Sequence, residues 1–421
     1  MRITILTAGT RGDIQPYVAL GTGLKRAGYQ VRLVGSQDFA AFVTAYGLDF
    51  FPMQLSMAAA MNTEGAQAIL EAGNPIKGLL LQRKLSQSAS PLDQTQLDIW
   101  EACQNAEAII YHPGLANGYY IARHLGIPCL MASAIPMGPT REYPSILFYH
   151  GPHLGPVYNR LTHTLFEQVF WQMGRATVKA FWQERGTANT VPLMPPYRRQ
   201  RDEGVPMLYG YSEKVLPRPV DWPANLQITG YWFLDAAADW QPPAALVDFL
   251  QAGPPPVYLG FGSMGNQRRA QENTEIALQA LALSGQRGLL VSGWNTLNEA
   301  VSLPDTVFMV KDVPHAWLFP QMAAVVHHGG AGTTAAGLRA GIPSVIVPHG
   351  VDQPFWGRRV AELGAGSPPI PRKQLTAENL AAAITTALHK DVRTQAEHLG
   401  RQIRAEDGIA KAVELVNHYL H

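Results

Sequence analysis

Cysteine is nearly absent from this chain: Cys103 and Cys129 are the only two in 421 residues. Neither stands in a metal-ligand spacing, and one pair makes no disulfide framework. Both read as buried thiols of a reducing compartment. Charge is scarce as well. Asp, Glu, Lys and Arg make up 15% of the chain and the net charge is +1. That balance excludes a global field for nucleic acid, although Arg198-Arg199-Gln200-Arg201 is a local basic run. Long apolar runs are missing too. None approaches the roughly 18–20 residues that span a bilayer. The opening Met1–Leu6 is apolar but short, and no small-residue cleavage site follows it, so it reads as a strand rather than a secretory leader. A soluble cytoplasmic protein, with at most a peripheral membrane contact, is the expectation.

What is present is apolar surface and turn formers. Apolar residues make up 47% of the chain, with 39 Gly and 32 Pro and no low-complexity tract. Such a chain folds, and its length predicts more than one core.

The first fifty residues alternate strand, helix, strand. Ile3–Thr7 is a short apolar run, Tyr17–Ala27 has helical spacing closed by Gly28, and Gln30–Gly35 is apolar again. Glu107–His112, Gly118–Leu125 and Ile127–Ala132 repeat the unit. Residues 52–95 read as irregular. Asn159–Arg185 reads as one long amphipathic helix with an aromatic face. Met207–Gly210 and Leu226–Gly230 close this half as strands. After a Pro-rich linker with a helix at Ala244–Gln251, the alternation restarts at Val257–Phe261. It continues through a helix at Gln271–Leu283 and strands at Gly288–Ser292, Val307–Val310, Val325–His328 and Ser344–Pro348. The pattern predicts an α/β protein of two Rossmann-like, doubly wound parallel-sheet domains facing a cleft. Their expected bounds are 1–235 and 236–405, with a C-terminal helix over 406–421 crossing back to the first domain.

Three turns carry candidate chemistry. His327-His328-Gly329-Gly330-Ala331-Gly332-Thr333-Thr334 follows a strand and opens a helix. Its glycines let the backbone approach a ligand. The free N–H groups of the first helical turn then suit a diphosphate. A plain strand-to-helix bend is the alternative. No Gly-Lys-Ser/Thr follows, and the spacing is not Gly-x-Gly-x-x-Gly. The turn Gly262-Ser263-Met264-Gly265 offers a hydroxyl at another helix start. In Gly9-Thr10-Arg11-Gly12-Asp13-Ile14-Gln15-Pro16, Asp13 is either a helix cap or a carboxylate able to take a proton. Farther on, Asp352-Gln353 reads either as a turn before a helix or as a polar pair for sugar hydroxyls.

In this order these segments resemble the GT-B-fold, nucleotide-sugar-dependent glycosyltransferases. The carriers are Gly12-Asp13-Ile14-Gln15-Pro16-Tyr17, Phe261-Gly262-Ser263-Met264, Val313–Phe319, and His327–Thr334 through Asp352–Gly357. Within that superfamily the chain is most similar to the sterol 3-β-glucosyltransferases and the vancomycin-type antibiotic glycosyltransferases. The resemblance implies that Asp13 is the base that activates the acceptor. It implies that His328, Gly330, Gly332, Thr333 and Ser263 meet the donor diphosphate, with backbone groups of Val313 at the nucleobase. Asp352 and Gln353 would hold the donor sugar. It also implies inversion at the anomeric carbon, no metal and no resident cofactor. The co-substrate would be a UDP-sugar, glucose first among them, or a dTDP-sugar. Many relatives carry His at the Asp13 position; the sterol and antibiotic branches carry Asp. Plant relatives carry a base-stacking Trp where Asp312 stands.

The expected partner is a small apolar alcohol: a sterol, a terpenoid or a polyketide. Its site is expected among Met53, Met57, Met61, Tyr143, Tyr149, Phe181, Trp182 and above all Phe148, Phe166, Phe170 and Trp171. Core packing is the alternative for about half of these. Arg160, Arg175, Lys179 and Arg185 on the same helix would suit an anionic membrane surface. Two other classes share such a fold. A nucleotide-sugar epimerase or hydrolase needs no apolar acceptor surface, and a non-catalytic nucleotide-sugar sensor needs no Asp13.

Overall fold

Strands covered on both faces tolerate apolar side chains in both directions. Arg2–Leu6 (β1) and Ala108–Tyr111 (β4) have that composition, and nearly every residue in them is buried. They lie side by side in a computed structural model that describes residues 1–54, 56, 94–149, 151–152, 154–187, 191–236, 240–261, 270–292, 297–298, 301–350 and 352–421. The other strands of this sheet are Gln30–Ser36 (β2), Asp49–Met53 (β3), Cys129–Ser133 (β5), Met207–Tyr209 (β6) and Leu226–Ile228 (β7). The order is β3-β2-β1-β4-β5-β6-β7 and every pairing is parallel. A second parallel sheet has five strands: Val257–Gly260 (β8), Gly288–Val291 (β9), Val307–Val310 (β10), Ala324–His327 (β11) and Ser344–Ile346 (β12). Its order is β10-β9-β8-β11-β12.

The helices α1 (Arg11–Arg26), α2 (Ala40–Ala45), α3 (Gln94–Cys103), α4 (Asn117–Leu125), α5 (Pro156–Glu184) and α6 (Pro196–Asp202) accompany the first sheet. With the second sheet run α7 (Ala244–Gln251), α8 (Ala270–Ser284), α9 (His315–Leu318), α10 (Ala331–Ala340), α11 (Gln353–Glu362), α12 (Ala377–Ala387) and α13 (Lys390–Arg404). A last helix, α14 (Gly408–Leu420), ends the chain.

Two compact units result. One holds Met1–Phe233 together with Asp407–His421, the other Leu234–Glu406. Helix α14 joins the first unit through named bonds. Tyr29 Oη donates to Asn417 Oδ1 at 2.7 Å, and Lys411 Nζ donates to the Ile228 carbonyl at 2.7 Å.

In each sheet one pair of neighbours marks where the strand order reverses: β1 beside β4, and β8 beside β11. Loops leaving the carboxyl ends of such a pair diverge and leave a crevice for ligands. Asp13 follows β1, and the His328 turn follows β11.

Several local expectations need correction. Helix α1 starts at Arg11, six residues before Tyr17, and its N-cap is Thr10, so Asp13 is the third helical residue and not the cap. Strand β3 and helix α3 lie in or beside the stretch read as irregular. The basic run at 198–201 is neutralised: Arg199 bonds Glu203 at 2.7 Å, Arg198 lies 3.7 Å from Asp202, and Arg201 pairs with buried Glu167. Cys103 and Cys129 are buried free thiols, and burial pushes each up to about 12.

Candidate active site

In the first unit, Asp13 is built into the start of α1. Its Oδ2 accepts from the Thr10 backbone N–H at 2.8 Å and from Thr10 Oγ1 at 3.2 Å. Tying the third helical residue back to the N-cap satisfies a donor the helix leaves open. Gly9 makes room for this. Its φ is +128°, and a Cβ there would stand 2.2 Å from Asp13 Oδ2. The other oxygen, Oδ1, accepts no hydrogen bond among the described residues. The half-buried carboxylate therefore has one fixed and one uncommitted oxygen.

In the second unit, His327 ends β11 and is fully buried, with Nδ1 accepting from Gly329 N–H at 3.0 Å. His328 follows the strand and is half-buried. The two rings lie 6.3 Å apart and nearly perpendicular. Gly329 sits at φ +88°, a backbone state that favours glycine. Gly330 is the N-cap of α10, and a Cβ on it would meet His328 Nε2 at 2.6 Å. The first helical N–H groups, those of Ala331, Gly332 and Thr333, have no intrahelical partner; the ladder begins with Thr334 N–H to Gly330 C=O at 2.9 Å. Gly332 is exposed, and a Cβ there would meet nothing within 4 Å. The turn therefore presents an open row of amides.

Burial lowers His328 to about 4, and burial, followed by the neighbouring His328 and His315, takes His327 well below its ordinary value. Before any anion arrives, His328 is a neutral hydrogen-bonding group and not the cation that a His near phosphate suggests. His163 on α5, also fully buried, is lowered by burial to about 4, although its Nε2 lies 3.0 Å from the Tyr143 carbonyl. A folded pKa below the unfolded value near 6.5 means the unfolded chain binds the proton first. Stability should therefore be full above pH 6.5 and fall as pH drops toward 4, by about 1.4 kcal/mol per pH unit for each such histidine. Thermal melts from pH 7 to 4.5 check this. His163→Gln should flatten the slope; an unchanged slope contradicts the assignment.

The Asp352-Gln353 turn adjoins the His328 turn. Strands β11 and β12 pair with His327 opposite Ile346, and a Cβ at Gly329 would lie 3.1 Å from the Gln353 carbonyl. Gln353 is buried and its Oε1 accepts from the N–H groups of His349 at 2.7 Å and Gly350 at 3.2 Å. That oxygen shapes the loop, which leaves the Nε2 amide as the group able to meet a ligand. Asp352 caps α11 and its Oδ2 accepts from Trp356 Nε1 at 2.8 Å. Val313 buries its side chain in the core against Tyr258 and Leu318. Its backbone N–H and C=O are unbonded among the described residues. Ser263 lies outside the described residues, but the strand leading to it is placed: β8 pairs with β11, and Phe261 just after it stacks on His349 with centroids 5.8 Å apart. Arg372 donates to that same imidazole at 2.8 Å, a cation that sequence reasoning passed over.

The aromatic set divides. Phe166, Trp171, Phe181, Trp182, Tyr149 and Met53 are buried. Trp171 packs on Tyr120 and points Nε1 at the Pro192 carbonyl. Phe148, Phe170 and Tyr143 are half-buried. Met57 and Met61 lie outside the described residues. On the outer side of α5, Val157, Leu161 and Leu165 are 74%, 62% and 44% exposed, one helical turn apart, with exposed Arg160 among them.

Two family models cover the two ends of the chain. Residues 3–144 match the glycosyltransferase family 28 N-terminal domain, and residues 290–414 match the erythromycin biosynthesis protein CIII-like C-terminal domain. A sterol 3-β-glucosyltransferase of Arabidopsis thaliana is 35% identical over all of this chain and 68% of its own length. The chain belongs to the GT-B glycosyltransferases of family 28. A sterol 3-β-glucosyltransferase of Emericella nidulans is also 35% identical over 99% of the chain, which spans only 30% of that relative. Among solved structures, the kitacinnamycin glycosyltransferase superposes with a TM-score of 0.66 at 20% identity, covering 100% of this chain and 99% of its own. Such a likeness speaks for the fold alone. Among the described residues no helix of this glycosyltransferase is long and apolar enough to cross a membrane.

Proposed function

We propose that this glycosyltransferase moves a hexose to a hydroxyl of a flat apolar alcohol, with inversion at the anomeric carbon. A sterol is the first acceptor class and UDP-glucose the first donor, with terpenoid or polyketide acceptors and dTDP-sugars behind them. The single observation that carries the reading is Asp13, a carboxylate with one oxygen fixed by Thr10 and one uncommitted, at the strand-order reversal of its sheet. The names of the Arabidopsis and Emericella relatives support the choice of acceptor.

In this reading the unit with Asp13 takes the acceptor and the other takes the nucleotide sugar. Asp13 Oδ1 accepts the hydroxyl proton as the acceptor oxygen bonds to the anomeric carbon. The bond from that carbon to the diphosphate breaks from the opposite side, and the nucleoside diphosphate leaves with the electron pair. The amides of Gly332 and Thr333, the close-approach position Gly330 and the His328 imidazole stabilise the charge that develops on it. The Ser263 hydroxyl joins them on the resemblance alone. Val313 offers backbone groups to the base, while Asp352 and the Gln353 amide hold sugar hydroxyls. Phe148 and Phe170 border the acceptor.

The test is incubation with UDP-glucose or dTDP-glucose and a mixture of sterols and polyphenols, read by mass spectrometry. A hexose adduct of an apolar alcohol is expected. Free glucose as the only product would sink the reading in favour of a hydrolase.

A membrane-derived acceptor gives the outer row of α5 a use: Val157, Leu161 and Leu165 enter the headgroup boundary while Arg160 meets anionic lipid. Leu161→Glu should then abolish co-flotation with phosphatidylserine vesicles at low salt and leave transfer to detergent-dispersed sterol intact. Equal flotation of the variant would remove this contact.

A further inference from the structure

Asp13 does not stand alone at the reversal point of its sheet. Strands β1 and β4 are neighbours with Leu6 opposite Tyr111, so the residues that follow leave the sheet side by side. His112 is the residue after β4, and its N–H donates to the Leu6 carbonyl at 2.8 Å. Asp13 and Tyr17 are one helical turn apart on α1 and so share a face. The His112 ring meets that face edge-on, 6.0 Å from the Tyr17 centroid. Tyr17 is itself fixed: its hydroxyl donates to the Ala132 carbonyl, and its ring meets Trp232 at 6.0 Å.

The imidazole has a defined tautomer. Nδ1 accepts from Gly114 N–H at 3.0 Å, so the proton of the neutral ring is on Nε2. Among the described residues Nε2 has no partner. One uncommitted acceptor, Asp13 Oδ1, therefore shares a small region with one uncommitted donor, His112 Nε2–H. A hydroxyl group needs both, since it donates one hydrogen and accepts at its lone pairs. An apolar edge is also at hand: a Cβ at Gly114 would stand 3.0 Å from His112 Nδ1 and 3.8 Å from Phe170 Cζ.

We propose that His112 is the second polar contact of the acceptor hydroxyl, its Nε2–H donating to the oxygen whose proton Asp13 takes. This rests on the reading of Asp13 as the base. The hydroxyl is thereby held with its proton toward the carboxylate and its reactive lone pair free. Burial lowers the His112 pKa and the Asp13 carboxylate opposes that shift. The Asp13 charge and the Tyr17 ring, both on α1, act on this imidazole.

His112→Ala, His112→Gln and Asp13→Asn, made in the full chain, test this with UDP-glucose and cholesterol. His112→Ala should lower kcat/KM for the sterol about ten- to hundredfold, the effect of leaving one enclosed hydroxyl contact unmade. UDP affinity by calorimetry should not move. His112→Gln, which restores an N–H donor at similar reach, should recover most of the loss. Unchanged sterol kinetics in His112→Ala, with Asp13→Asn inactive, overturns the role of His112 alone. A His112→Gln variant as poor as His112→Ala, at wild-type melting temperature, overturns it as well. Full activity of Asp13→Asn instead overturns the base on which the proposal stands.

Discussion

Asp13→Asn is expected to lower sugar transfer by about 10²–10⁴-fold, the usual contribution of a positioned general base, while leaving UDP affinity and the melting temperature near wild type. The reason lies in the two duties of one carboxylate. Its Oδ2 ties Thr10 N–H to the start of α1, and an amide oxygen can still accept that bond. Its Oδ1 is uncommitted and in the reading above takes a proton, which an amide cannot do. Asp13→Ala removes both duties. It should be equally inactive and also less stable, by about 1 kcal/mol for a lost helix-start contact. Transfer assays paired with thermal melts separate the two. If Asp13→Asn transferred sugar at the wild-type rate, Asp13 would be a structural residue only.

Gly332→Ala makes the opposite separation in the other unit. Gly332 is exposed at the second position of α10, and an added methyl meets nothing within 4 Å. Alanine is the better helix former by about 0.8–1 kcal/mol, so the fold should be unharmed or slightly more stable. In the proposed reading the methyl would nevertheless crowd a diphosphate that needs close approach to the free amides of the first turn. UDP should bind about ten- to hundredfold more weakly, with kcat at saturating donor less affected. Calorimetry with UDP decides. Wild-type affinity in a well-folded Gly332→Ala protein would move the diphosphate away from this turn. Gly330→Ala should also weaken UDP binding, by another route, because its methyl would displace the His328 ring 2.6 Å away.

Most strands could be read from the chain because parallel strands buried on both faces are bare apolar runs. Val257–Gly260 and Ala108–Tyr111 are such runs, and every residue in them is buried. Helix Ala244–Gln251 also has the bounds its sequence suggests. The failures have particular causes. Strand β3 is an edge strand containing Pro52, and proline argues against a strand unless the position is at an edge. Helix α3 buries Gln96 and Asp98, which look like loop residues until their partners are known: Asn117 Nδ2 donates to Gln96, and the Gln54 N–H to Asp98. The start of α1 was hidden because Gly12 and Pro16 resemble a loop, while the Thr10–Asp13 bond that begins the helix spans only one turn.

The candidate site divides the same way. Residues inside one local pattern, such as His328 with Gly330 and Gly332, can be proposed from the chain because a Gly-rich strand-to-helix turn is a contiguous signal. His112 can be proposed only from the structure, since a single His at a strand end gains meaning only when β4 is seen to pair with β1. Periodicity identified α5, but spacing alone cannot say which of its aromatic side chains are fully buried, and Phe166 and Trp171 are.

In the proposed mechanism, Asp13-assisted attack inverts the anomeric carbon of the donor. The most direct measurement is the proton NMR spectrum of the purified glycoside made from UDP-α-glucose and a sterol. A β-linked glucoside, seen as a large coupling at the anomeric proton, is the predicted result. An α-linked product would contradict single displacement with Asp13 as the base.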